Sequence, residues 1–267
     1  MTYCVGINIK EGMVFASDAR TNAGLDNVNS YSKMLNYSVG DRNIVIVTAG
    51  NLATSQAVFS SVRKDLESKD ITTSLNTFEN MEEVASYIGR LTVKHASPQG
   101  INEEVLQLGS SYIVGGQIKD QKSEIFLVYP QGNYIKPSDA RPYLIIGEIN
   151  YGKPILDRIL TPEISLGDAS RCALISMDST IRSDLRVGPP IDFVVYKQGS
   201  IKPIYQKKFE LDDHKAYFWV ILIMILLVIW MVRRFTVRRP GRAWEAIRQD
   251  EDVAALMGVN LLVYKLW

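Results

Sequence analysis

The chain has 267 residues, 46% of them hydrophobic and 22% charged, a composition that fits a folded globular protein and excludes a disordered one. Thirty Lys and Arg against twenty-nine Asp and Glu leave a net charge of +1, so there is no basic footprint for nucleic acid. The length suits one large domain, or one domain with an appendage.

The opening MTYCVGINIK has no basic region followed by an apolar run, so no secretory signal is expected and the cytoplasm is the expected location. Cys4 and Cys172 sit in apolar stretches, without metal or disulfide spacing, and fit a reducing compartment. Thr2 carries chemistry of its own. A small second residue favours removal of Met1, and the new terminus would place a hydroxyl beside an α-amine whose ordinary pKa is about 7.7–8.0. Such an amine can take the hydroxyl proton as the oxygen attacks.

Along the chain, Tyr3–Ile9 and Gly12–Asp18 read as two strands joined by the polar turn Lys10-Glu11. Asn43–Thr48, rich in β-branched residues, is a third and ends at Ala49-Gly50. Two helices follow. In the second, Asn80 and Glu83 have capping-box spacing, and Met81, Val84, Ile88 and Leu91 form one apolar stripe. Strands are predicted again at 111–116, 124–129 and 142–147, then helices around 155–160 and 169–178. Strands at 191–196 and 201–205 close the segment. Blocks of strands and blocks of helices, rather than strict alternation, favour stacked antiparallel sheets covered by helices.

The opening TYCVGINIKEGMVFASDARTNAG with SYSKM after it resembles the proteasome β-subunit superfamily, most closely its bacterial Anbu (ancestral β-subunit) branch. The resemblance continues through TAGNLATSQA, YIVGGQI, YPQGNY, IIGE, SMDSTIRSDLRVGPPID and IDFVVY, and covers roughly residues 2 to 210. It implies an α+β fold, the four-layer αββα sandwich of N-terminal nucleophile hydrolases. It also implies a self-assembled oligomer, either a ring or an open helical turn.

Position by position, the resemblance makes Thr2 the nucleophile, Asp18 the aspartate ending the second strand, and Lys33 the lysine beside the nucleophile. A lysine ammonium there would depress the pKa of the α-amine by like-charge repulsion, and the aspartate would hold that lysine in place. On this reading Lys33 tunes the terminus rather than the core, so its loss is expected to cost turnover and to leave folding nearly intact. Gly50 matches the glycine whose N–H receives the oxyanion. Asp178 and Ser183 fall where the family carries a supporting Asp and Ser, with Ser179 competing for the second role. The family's serine after the IIG strand is absent, because Gly147 is followed by Glu148. His95 and His214, the only histidines, lie in no matching motif, which argues against a Ser-His-Asp arrangement.

Beyond residue 210 the chain departs from the family. Ala216–Val232 is seventeen uncharged residues, followed by arginines 233, 234, 238, 239 and 242. It sits at the lower limit of a membrane span, about 17–25 residues. An anchor, an apolar segment buried in an oligomer interface, and a tail in a different reading frame all remain open.

Together these features imply a threonine peptidase that cleaves peptide bonds without a metal or cofactor. A narrow amidase or acyltransferase acting on a small substrate is the alternative within catalysis, and a catalytically weak scaffold subunit the alternative outside it.

Overall fold

The computed structural model describes residues 2–23, 27–68, 74–96, 109–210, 215–237, 239–258 and 260. His214 and the Asp212-Asp213 pair lie outside the described residues. Two units are compact in themselves, Met1–Leu211 and Asp212–Trp267.

The first unit opens with β1 (Tyr3–Ile9) and β2 (Gly12–Asp18), paired antiparallel with Cys4 opposite Ser17 and Ile9 opposite Gly12. β3 (Arg20–Ala23) and β4 (Asn27–Ser30) form a two-stranded ribbon, and β5 (Met34–Val39) leads into β6 (Arg42–Gly50). Helices α1 (Leu52–Glu67) and α2 (Met81–Ala96) follow. Next come β7 (Ser110–Ile118), β8 (Glu124–Val128), β9 (Tyr134–Ile135) and β10 (Tyr143–Gly147). Helices α3 (Lys153–Ile159) and α4 (Leu166–Ser183) precede the last strands, β11 (Ile191–Lys197) and β12 (Tyr205–Phe209).

The strands assemble into two five-stranded antiparallel sheets, ordered β10-β1-β2-β11-β12 and β5-β6-β7-β8-β9. Three apolar layers fill the spaces around them. Cys4, Met13, Phe15, Val45, Val47 and Ile113 lie between the sheets. Tyr3, Val5, Ile7 and Val14 face α3 and α4 through Leu156, Cys172 and Met177. On the other side, Ile44, Ile46 and Val114 meet Val58 of α1 and Val84 and Ile88 of α2. The result is a four-layer αββα sandwich. Its central strands are buried on both faces, which is why they read as continuous apolar runs rather than alternating ones.

Local chemistry fixes the helix starts. Asn51 caps α1 through its side chain, which accepts from the Thr54 N–H. Before α2, Asn80 accepts from the Glu83 N–H at 2.9 Å, while Glu83 reaches back to the Glu79 N–H at 2.9 Å. This box closes one residue earlier than the usual reciprocal pair.

The second unit holds α5 (Lys215–Val237), α6 (Arg239–Gln249) and α7 (Glu251–Leu256). Residues 223–232 of α5 are all well exposed, and Arg234 stacks on Trp230. Among the described residues no helix is long and apolar enough to cross a membrane. Seventeen uncharged residues at ~1.5 Å each reach only about 25 Å, short of a ~30 Å hydrocarbon core. Full-length protein is therefore expected to leave the membrane fraction on alkaline carbonate washing, and retention in the pellet would contradict the length argument.

Candidate active site

Thr2 stands at the head of β1, a central strand, and is 7% exposed. Its carbonyl accepts the Glu148 N–H at 2.7 Å as β10 ends beside it. Gly147, at φ +91°, permits this approach, since a Cβ there would lie 1.9 Å from the Thr2 carbonyl oxygen. Any side chain at 147 would push Thr2 out of place.

Asp18 ends β2 and is fully buried. Its Oδ1 accepts from the Tyr3 N–H at 3.1 Å, and its Oδ2 from the Gly188 N–H at 3.4 Å. Lys33 immediately precedes β5, and its carbonyl accepts the Thr48 N–H at 3.0 Å, tying it to β6 of the second sheet. From there its Nζ donates to Thr2 Oγ1 at 2.6 Å, Asp18 Oδ1 at 2.8 Å and the Arg20 carbonyl at 2.6 Å. The ammonium's three protons thus meet three oxygens. Burial pushes the Asp18 carboxyl above its ordinary pKa, while the Lys33 ammonium and the Tyr3 and Gly188 N–H groups pull it back.

A cavity of about 610 Å³ opens at this cluster, lined by Thr2, Thr21, Lys33, Gly50, Leu52 and Gly147 among others. Gly50 closes β6 at φ +128°, and a Cβ there would meet the Gly109 carbonyl at 2.5 Å. The amino-terminal end of α1 borders the cavity through Asn51 and Leu52, bringing the positive end of a helix dipole to its wall.

The structure therefore gathers Thr2, Asp18, Lys33 and Gly50 at one mouth of the sandwich. Asp178 and Ser183 do not join them. Both are exposed on α4, where Asp178 pairs with Arg182 one turn on at 2.8 Å. Ser179 is directed to the Tyr151 carbonyl at 3.4 Å. The buried carboxylate of this stretch is Asp184, which caps the end of α4 and was not singled out from the sequence. Its signal was an acid just past the last apolar helical position, followed at two residues by an arginine. His95 bonds Ser61 at 2.9 Å and does not line the cavity. Among the described residues no group of three or more His, Cys, Asp or Glu could hold a metal ion. Burial raises the thiol pKa of both Cys4 and Cys172.

The model of the proteasome subunit family matches residues 2–196. The chain belongs to that family. In its Anbu branch, the Anbu protein of Yersinia bercovieri superposes with a TM-score of 0.74 at 35% identity, covering 88% of this chain and 97% of that one. The helical assembly of the Anbu complex from Pseudomonas aeruginosa gives 0.73 at 38% identity, with 87% and 96% covered. A proteasome subunit beta 2 of Pyrobaculum calidifontis is 24% identical over 192 residues, 72% of this chain and 86% of its own. The sandwich is thus the proteasome-like fold of N-terminal nucleophile hydrolases, in a branch that includes an assembled relative.

The geometry changes one expectation. Lys33 is 5% exposed and neutralises a fully buried carboxylate, so it supports the fold as well as the terminus. Removing it leaves Asp18 buried and uncompensated. Lys33→Ala is expected to lower unfolding free energy by about 3–5 kcal/mol in urea titrations, with Asp18→Asn/Lys33→Met recovering much of the loss. A stability change under about 0.5 kcal/mol, the range of ordinary surface substitutions, would contradict a buried pair.

Proposed function

We propose that this chain is a threonine peptidase in which Thr2, freed by removal of Met1, is both nucleophile and its own base. The observation that carries this reading is Lys33 Nζ at 2.6 Å from Thr2 Oγ1 and 2.8 Å from Asp18 Oδ1. Any Thr can have a nearby hydrogen bond. A buried, paired lysine held against the hydroxyl of the second residue serves chemistry at that hydroxyl.

In the reaction, Thr2 Oγ attacks the carbonyl carbon of the peptide bond while the Thr2 α-amine accepts the hydroxyl proton. Lys33 donates to Oγ and stabilises the charge that builds there. The oxyanion is received by the Gly50 N–H at the wall where α1 begins, a donor fixed before the reaction starts. The α-ammonium returns its proton to the departing amine, leaving an ester on Thr2. A water molecule, deprotonated by the same α-amine, attacks that ester. The acid leaves, and Thr2 Oγ regains its proton.

Supporting this reading, the chain belongs to a family of such peptidases, and the cavity beside Thr2 has room for several residues of an extended peptide. The cytoplasm follows as the compartment, since Met1 is removed there. Intact-mass measurement of the native protein should show loss of one methionine, and Thr2→Ala should abolish cleavage of a broad peptide library. Turnover by protein that retains Met1 throughout would sink the self-base mechanism.

The subunit is further proposed to assemble with itself, as the Anbu complex of Pseudomonas aeruginosa does. Sedimentation velocity of the full-length chain should show a particle many times the 30.0 kDa of one subunit. A folded monomer over a broad concentration range would argue against assembly.

A further inference from the structure

The deep end of the cavity beside Thr2 is built from hydroxyl groups. Thr48 of β6 and Ser55 of α1 line it while only 2% and 3% exposed, and their oxygens lie 2.9 Å apart. Behind them Tyr112 of β7 is fully buried. Its Oη is surrounded by Thr48, Ser55, Thr92 and Ser110, yet it makes no hydrogen bond among the described residues. Burial holds the phenol above its ordinary pKa, so it keeps its proton and has it to give. A buried hydroxyl without a partner is costly, and here it stands directly behind the wall of a site.

Two further hydroxyl protons can be turned toward a ligand. The Asn51 carbonyl accepts from the Ser55 N–H at 3.1 Å, from Ser55 Oγ at 2.9 Å and from Ser110 Oγ at 2.8 Å. A carbonyl oxygen has two lone pairs, so the Ser55 hydroxyl can leave without stranding it. The acceptor of Thr48 outside this group, the Ser111 carbonyl, is 3.3 Å away, beyond the usual range for a hydroxyl donor. The field has one sign. Arg20 and Lys33 line the cavity, and among the described residues no carboxylate does. Asp18 neutralises Lys33, whereas Arg20 is in no ion pair among the described residues. Helix α1 begins at the wall with no acid in its first turn, so its dipole adds to the positive potential.

We propose that this cavity selects an acidic side chain, glutamate or aspartate, on the residue whose carbonyl Thr2 attacks. The selectivity rests on the reading of Thr2 as the nucleophile and gives that site its substrate class. The carboxylate takes hydrogen bonds from Thr48, Ser55 and Tyr112, and its methylene groups lie against Leu52. Several donors are what a carboxylate needs to leave water, and bonds to a charged acceptor are about twice as strong as neutral ones. That difference separates glutamate from glutamine, which has the same shape. A lysine or arginine side chain would meet positive potential with nothing to pair it. An apolar one would seal the Tyr112 hydroxyl away from any partner.

The test uses full-length, Met1-free protein and coumarin-amide peptides identical except for Glu, Asp, Gln, Leu or Arg before the cleaved bond. kcat/KM should be about tenfold higher after Glu than after Gln, and lowest after Arg. Tyr112→Phe and Thr48→Val keep the shape of the side chain and remove its hydroxyl. Each should lower the Glu-to-Gln ratio by about tenfold, a ratio that general loss of folded protein does not move. Equal rates after Glu and Gln, or a preference for Leu or Arg, would overturn the selectivity. Fluorescence anisotropy of labelled peptides ending in Glu or Gln makes the same comparison on unsubstituted protein and without turnover. Tighter binding of the Glu peptide by protein that cleaves nothing would keep the selectivity and remove the peptidase reading. Equal binding of the two would overturn the selectivity itself.

Discussion

A lysine ammonium shut away from water must find an acceptor for each of its protons, and around Lys33 that demand organises the mouth of the sandwich. Its three acceptors come from the head of β1, the end of β2 and the first residue of β3. Its own backbone is tied to β6 of the opposite sheet. The pair with Asp18 therefore straddles both sheets. Loss of any one acceptor would leave a buried charge short of a partner, a far larger penalty than the loss of an exposed ion pair. The same bonds that satisfy the lysine aim it at the Thr2 hydroxyl, so on the proposed mechanism satisfaction of the buried charge and activation of the nucleophile are one arrangement.

Placement of Thr2 and Asp18 depends in turn on main chain rather than on side-chain fit. Thr2 is fixed by β10 through Gly147 and Glu148, and Asp18 by the Tyr3 N–H of the neighbouring strand. Strand register is specified by the hydrophobic faces on both sides of β1, and a one-residue slip would turn each buried side chain to the wrong layer. Three apolar layers thus position the cluster of Thr2, Asp18 and Lys33 at their edge.

Much of this was legible in the sequence. β1 and β2 appear with the bounds read from their apolar runs, because strands buried on both faces leave an unbroken signal. β3, β4, β5 and β9 gave none. They are short or polar, as in Arg20–Ala23 and Tyr134–Ile135, and take their pairing from neighbours. The last strand begins at Tyr205 rather than at 201, since Pro203 has no N–H to give a ladder. At the site, the opening block carried Thr2, Asp18 and Lys33 by pattern, whereas Asp184 did not emerge. α4 runs on to Ser183, past the expected end at 178, which turns Asp178 and Arg182 to solvent while Ser176 and Thr180 face inward. Helical phase, which spacing to a motif does not supply, decides between two acids six residues apart.

The place of Thr2 at the start of a central strand also bears on how the protein can be handled. An affinity tag, a fusion partner or a retained leader at the amino end would cap the α-amine as an amide. On the proposed mechanism, preparations labelled at the head of the chain would fold normally while being chemically silent. On that mechanism the free end is a reagent, and only material with a native start can test it.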